Sequence, residues 1–218
     1  MALEVYETAE DAQAALADKL VRVIEETQGE VRLALGGGRT PAPAYARLRD
    51  TLGAHDTDRS RIRVFVTDDS AAGCPNERMI RATLCDPLGL HCTGTSDFLQ
   101  YQSDDLRDQS PLLHAAVLGL GVDGHTAALF AAADIASDDC VLHTTSPTRE
   151  ERMSLGLIVL AQARSTFLIA TGDDKSAAVE AIFCGAEASG AVVARWPQTI
   201  CLVDAAAGSR LLATESTK

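Results

Sequence analysis

Apolar residues along this chain recur with two different periods, and the two alternate. After Thr8, the residues Ala12, Ala15, Leu16, Leu20, Val23 and Ile24 fall at helical spacing, and Thr8 with Asp11 resembles a helix-capping pair. Val31 to Leu35 is a short continuous apolar run, the mark of a buried strand, and Pro41 beyond it suits the first turn of a helix carrying Tyr45 and Leu48. Ile62 to Thr67 predicts a second strand, Asn76 to Leu84 a helix, and Ala115 to Leu120 a further strand. Ser165 to Thr171 reads as a strand followed by a helix through Ala177, Val179 and Ile182, and Thr199 to Val203 as the last strand before an Ala-rich tail. Strands alternating with helices predict an α/β fold whose largely parallel sheet is covered on both faces. No repeat, low-complexity linker or break divides the chain, so a single domain over residues 1–218 is expected. The 30 residues ahead of Val31 read as one helix, which disfavours a DNA-binding helix-turn-helix in front of the first strand.

Composition narrows the partners. The chain is 46% hydrophobic and only 4% aromatic, which suits helices packed on an aliphatic sheet. Its formal net charge of −12 argues against nucleic acid, whose phosphates need a basic face, but leaves room for a small anion in a locally positive pocket. The six cysteines form no C-x-x-C pair and lie mostly in apolar runs, so buried free thiols in a reducing compartment are expected. MALEVYETAEDAQ lacks the basic and apolar regions of a signal peptide, and no apolar stretch approaches the roughly 20 residues that span a bilayer. A cytoplasmic protein without a membrane partner is expected; oligomeric state is not encoded in any readable pattern.

Four places carry candidate chemistry. The run Ala115 to Leu120 ends in glycines and feeds Asp123-Gly124-His125-Thr126, a turn at the carboxyl end of a strand, where open α/β sheets bind ligands. Histidine shuttles protons near neutral pH, and a carboxylate stands two residues before it, although a surface turn would read the same way. Gly36-Gly37-Gly38-Arg39-Thr40-Pro41 joins a strand to a helix. Its glycines let backbone approach a ligand, and Arg39 and Thr40 favour phosphate over a plain turn. Thr67-Asp68-Asp69-Ser70 offers two carboxylates for acid/base work or for capping a helix. Thr171-Gly172-Asp173-Asp174-Lys175 places a lysine in the first turn of a helix, a poor position unless an anion or the neighbouring aspartates compensate. Arg152, ahead of the apolar segment Met153 to Leu160, is a further cation.

In order, LALGGGRTPAPAYARL, VFVTDDS, NERMIRATL, VLGLGVDGHTAALF, RMSLGLIVLAQARSTFLIATGDDK and LVDAAA resemble the 6-phosphogluconolactonases, in a wider group with the glucosamine-6-phosphate deaminases. The resemblance covers residues 5 to 210, and its sharpest element is Gly121 to Ala127 with Leu129-Phe130 behind it. It implies a Rossmann-like three-layer sandwich that hydrolyses 6-phosphogluconolactone to 6-phosphogluconate in the pentose phosphate pathway, with no metal or organic cofactor. It also places Gly37, Gly38, Arg39, Thr40, Arg152 and Lys175 on the sugar phosphate, His125 as general base, and Asp68 on the first carboxylate of an Asp-Glu-Arg motif. Asp123 or Asp68 would orient the imidazole.

The chain departs from that pattern in three places. Asp68-Asp69-Ser70 and a shortened loop replace Asp-Glu-Arg, Arg39 stands where many members have serine, and Ala131 replaces a proline after Phe130. Arg39 is therefore a candidate to restore the charge missing at Ser70. Two other functions stay open: a sugar-phosphate-binding protein with weakened catalysis, and a deaminase-like enzyme, against which the lactonase-like Thr126-Ala127-Ala128-Leu129-Phe130 argues.

Overall fold

The computed structural model describes residues 2–99 and 112–215. Thr8 caps helix α1 (Ala9–Glu26) as expected, with its hydroxyl accepting from the Asp11 N–H at 3.1 Å and the Asp11 carboxylate accepting from the Thr8 N–H at 3.2 Å. Strand β2 (Val31–Leu35) follows, then helix α2 (Ala42–Ala54) with Pro41 at its start. Strand β3 (Ile62–Val66), helix α3 (Pro75–Ile80) and strand β6 (Leu113–Gly119) agree with the periodicity, as do β9 (Ala163–Ala170), α4 (Ser176–Phe183) and β10 (Thr199–Asp204). The expected Asn76 to Leu84 helix is continued past Ile80 by a wider π turn over Arg81–Cys85. The Ala-rich tail forms helix α6 (Ala205–Glu215), and a short helix α5 (Ser189–Ala194) precedes β10.

The 30 residues ahead of Val31 are not one helix. Ala2–Tyr6 is strand β1, paired parallel to β10 at the edge of the sheet. At that edge Leu3 and Val5 are exposed, so the strand carries no buried apolar signature. Glu4 ties it to α1 by accepting from Lys19 Nζ at 2.9 Å. Strand β5 (His91–Thr93) closes the opposite edge. The full order is β1-β10-β9-β6-β2-β3-β5, all parallel, and a second antiparallel sheet of β4 (Asp68–Ser70), β8 (Glu151–Leu155) and β7 (Val141–Thr145) sits beside it.

Alternate residues of the central strands feed two separate cores. Leu33, Leu35, Val64, Val66, Val117 and Ile169 pack with Leu16, Leu20 and Ile24 of α1 and with Tyr45 and Leu48 of α2. Ala34, Phe65, Leu118 and Leu168 face the other way, toward Val179 and Ile182 of α4, Ala191 of α5 and Ala207 of α6. The three layers follow from a period of two in strands that are apolar on both faces. All six cysteines are free; Cys85, Cys92 and Cys201 are buried, Cys74 and Cys140 half-buried and Cys184 exposed. No helix among the described residues is long and apolar enough to cross a membrane.

Chain direction across the sheet reverses between β2 and β6, which are neighbours, so their carboxyl ends open a crevice. At its floor the Gly36 N–H donates to the Val117 carbonyl at 2.8 Å, and a Cβ on Gly36 would stand 2.9 Å from that same oxygen. Only glycine allows β2 to end so close to β6.

His114 of β6 is buried, and its Nδ1 accepts the Arg32 backbone N–H at 3.0 Å. Burial, with Arg32 and Arg164 nearby, depresses its pKa from 6.5 to about 4. The unfolded chain therefore binds the extra proton between those values, so the contribution is complete above pH 6.5 and lost as pH falls toward 4. In urea titrations, wild type should lose up to about 3 kcal/mol more than His114→Asn on going from neutral to acid pH.

Candidate active site

Five sheet-end segments converge on a cleft of about 560 Å³ at the β2–β6 crevice. Gly36, Gly37, Gly38, Arg39 and Thr40 come from the end of β2, Asp68 follows β3, and Gly119, Gly121 and His125 lie at the end of β6. Thr171, Asp174 and Lys175 come from the end of β9, and Arg152 reaches in from β8 of the small sheet. Every residue expected at the site lines this cleft except Asp123, which stands behind His125.

Hydrogen bonds fix the histidine turn from several sides. Gly121 N–H donates to the His125 carbonyl at 2.8 Å, and the Thr126 hydroxyl donates to the Gly119 carbonyl at 2.7 Å. Ser189, at the start of α5, accepts the Thr126 N–H at 2.9 Å and donates to the Leu129 carbonyl at 2.7 Å. Ala127 is held at φ +50°, a left-handed conformation that alanine rarely adopts without such support. The His125 ring rests on Phe130 at 4.5 Å between centroids, and its Nδ1 makes a short hydrogen bond with Asp123 Oδ1. Partial burial pushes the Asp123 carboxyl up, but hydrogen bonds from the His125 ring and backbone outweigh it and hold the pKa below the usual carboxylate value. An ionised Asp123 accepts the Nδ1 proton, which leaves Nε2 with its lone pair free to take a proton from a ligand or water.

The two adjacent aspartates divide the roles that their sequence left undivided. Asp69 is a helix cap: its oxygens accept from the N–H groups of Ser70, Asn76 and Glu77 at 2.9, 3.0 and 2.8 Å. Asp68 faces the cleft and is buried; it bonds Arg152 Nη2 at 2.7 Å, the Thr67 hydroxyl at 3.0 Å and Asn76 Nδ2 at 3.2 Å. Burial raises its pKa above the ordinary value, while Arg152 and Thr67 pull the other way. Asp68 is thus partnered with arginine, and Asp123 is the carboxylate on the imidazole. Ser70 lies directly opposite Arg152 in the β4–β8 register, and its hydroxyl accepts the Ala72 N–H at 3.2 Å; it does not line the cleft.

Sequence reasoning gave no role to Gln13 and Asn76, which both line the cleft. Gln13 donates to the Thr40 carbonyl at 2.9 Å from the second turn of α1, a position with no local signal. Asn76 packs so tightly under Gly37 that a Cβ there would overlap it, and it donates to the Asp68 carbonyl at 2.8 Å. Among the described residues, Asp69, Cys74 and Glu77 bring potential metal-ligating atoms within 4.8 Å of one another. That group lies outside the cleft, with Asp69 committed to the α3 cap and Glu77 paired with Arg81 at 2.7 Å.

The cleft therefore pairs an imidazole with a free Nε2 against a wall of cations. Arg39 and Lys175 have no ion pair among the described residues, whereas Arg152 is matched by Asp68. Such an arrangement can hold a phosphate at one end and transfer a proton at the other.

A family model described as glucosamine-6-phosphate isomerases/6-phosphogluconolactonase matches residues 7–202. The 6-phosphogluconolactonase of Mesorhizobium japonicum is 32% identical, covering 80% of this chain and 79% of its own length. That of Streptomyces coelicolor is 29% identical over 92% of this chain and 90% of its own. Among solved structures, the 6-phosphogluconolactonase of Trypanosoma brucei superposes with a TM-score of 0.81 at 23% identity, covering 96% of this chain and 98% of that one. A monomeric glucosamine-6-phosphate deaminase gives the same TM-score at 17% identity, covering 96% of this chain and 99% of its own. The likeness to both structures shows the Rossmann-like α/β sandwich and does not by itself choose between their reactions.

A side chain at Gly121 would occupy the place of His125 Nδ1 and Asp123 Oδ1. Gly121→Ala is expected to displace the imidazole and to lower turnover by about a hundredfold, with thermal unfolding close to wild type. Steady-state kinetics beside a melting curve check this.

Proposed function

The chain belongs to the glucosamine-6-phosphate isomerase/6-phosphogluconolactonase family, and from that premise we propose that its cleft hydrolyses 6-phospho-D-glucono-1,5-lactone to 6-phosphogluconate with His125 as general base. The observation that carries this reading is the Asp123–His125 pair set in one cleft with Arg39 and Lys175. Lactone opening needs a base for the attacking water and positive charge or donors for the oxygen that gains electrons. His125 Nε2 takes a proton from water as the oxygen bonds to C1. It then returns that proton to the ring oxygen as the C1–O bond breaks, leaving a hydroxyl and a carboxylic acid that loses its remaining proton to solvent to give the carboxylate. Ionised Asp123 stabilises the imidazolium between these steps and keeps Nε2 facing the substrate.

Lys175, Arg39, Arg152 and the N–H groups around Gly37, Gly38 and Thr40 bind the phosphate at the other end of the cleft. Arg152 alone is a poor anchor, because its guanidinium is already engaged by Asp68 at 2.7 Å. Arg39 supplies the unmatched charge from the glycine turn, in place of the arginine that Ser70 replaces. With Asp68 neutralising Arg152, Arg39 and Lys175 are the cations left for an anion inside a chain of net charge −12. The lactonase names of the relatives in the comparisons, at up to 32% identity, favour this reaction over deamination. A single-domain enzyme in the cytoplasm, without metal or organic cofactor, belongs to the same reading.

Fresh 6-phosphogluconolactone, assayed against its spontaneous opening, tests the proposal. Wild type should exceed the uncatalysed rate, and His125→Ala should lower kcat by about 10²–10⁴ while phosphate binding persists. A wild-type rate equal to the uncatalysed one would favour a binding protein, and ammonia release from glucosamine 6-phosphate a deaminase. Arg39→Ser should raise KM about tenfold; an unchanged KM removes Arg39 from the phosphate site.

A further inference from the structure

Lys175 enters the cleft from a short turn, Asp173–Lys175, and makes no ion pair among the described residues despite two aspartates before it. Its placement is therefore set by backbone. The Lys175 N–H donates to the Gly172 carbonyl at 3.1 Å. Gly172 itself is at φ +95° and ψ 152°, a conformation open essentially to glycine alone, and a Cβ there would stand 2.9 Å from Asp174 Oδ1. Such a residue keeps its conformation only when its surroundings hold it, and the group that does so is Asp204.

Asp204 ends β10, the neighbour of β9 in the sheet, and its side chain is buried at 5% exposure. Both carboxylate oxygens accept the Gly172 N–H, at 3.0 and 3.1 Å. Oδ1 also accepts the Ala207 N–H at 2.8 Å, which caps α6. One buried carboxylate thus joins three parts of the molecule: the end of β10, the start of α6, and the glycine that carries the lysine turn. It makes no contact with the cleft, which its residue does not line.

We infer that Asp204 is a positioning residue for substrate phosphate, acting through Gly172 to hold Lys175 in the cleft. This rests on the reading of Lys175 as a phosphate ligand. A lysine is a point charge on a flexible stem, so the direction from which its turn launches it decides whether the ammonium reaches the phosphate. A carboxylate, as a charge-assisted acceptor, holds the Gly172 N–H and so fixes that direction more firmly than a neutral acceptor. The helix cap alone would need only one oxygen.

Kinetics of Asp204→Asn, Lys175→Ala and the double variant test this, with inorganic phosphate as a competing probe. Asp204→Asn should raise KM for the lactone and Ki for phosphate by the same factor, about tenfold, with kcat within about twofold of wild type. In the Lys175→Ala background the same change should cost less than about twofold more, because the lysine it positions is gone. Asp204→Ser keeps a cap for α6 but not the two-oxygen grip on Gly172; it should show the KM shift with a melting temperature near wild type, and it serves if the asparagine variant fails to fold. Losses that add independently in the double variant, or a wild-type KM in Asp204→Ser, overturn the positioning role. If Lys175→Ala leaves both KM and phosphate inhibition unchanged, the phosphate reading of Lys175 falls first and the role of Asp204 falls with it.

Discussion

The hydrogen bond between the Asp123 carboxylate and His125 Nδ1 is the contact on which the chemistry of this cleft depends. An imidazole has two nitrogens, and whichever one is bonded to a carboxylate becomes the proton-bearing one. With Asp123 behind it, the ring presents Nε2 toward the cleft as an acceptor. Much of the surrounding turn serves to keep this pair in place. Gly121 leaves room for both side chains, Phe130 supports the ring face, and Ser189 ties Thr126 and Leu129 to the helix behind. The pair is solvent-accessible, so its geometry comes from the rigid turn and not from deep burial.

Charge in the cleft is arranged by neutralisation as much as by accumulation. The Asp68–Arg152 pair links β4 to β8 within the small sheet, with Asp68 buried and Arg152 half-buried, so neither member is free to act as an isolated charge. Arg39 and Lys175 are left as the unmatched cations, and both stand on glycine-containing turns. The Ser70 hydroxyl accepts a backbone N–H of its own turn and does not line the cleft.

Much of this was legible in the chain because local signals and tertiary roles coincide. Thr8 and Asp11 predict a capping box and form one, and the glycine turn and the histidine turn both fall at strand ends that meet at the sheet's reversal point. What was not legible is instructive in physical terms. Strand β1 lies on an edge with Leu3 and Val5 exposed, so its sequence shows no buried run. The small sheet uses Asp68, Asp69 and Ser70 as strand residues although aspartate is depleted in strands, and only pairing with Glu151–Leu155 makes them one. Asp68 and Asp69 cannot be told apart by type; the position of α3 decides that one caps a helix and the other faces the cleft. Gln13 and Asp204 act from elements remote in sequence from the turns they support, at 2.9 Å and at 3.0 and 3.1 Å.

The central claim is that His125 works as a base because Asp123 holds it in one tautomer. Steady-state kinetics of Asp123→Asn on fresh 6-phosphogluconolactone test it most directly, since asparagine keeps the shape of the side chain and removes its charge. The expected result is a fall in kcat of about a hundredfold or more with KM little changed. A kcat equal to that of wild type would contradict the claim.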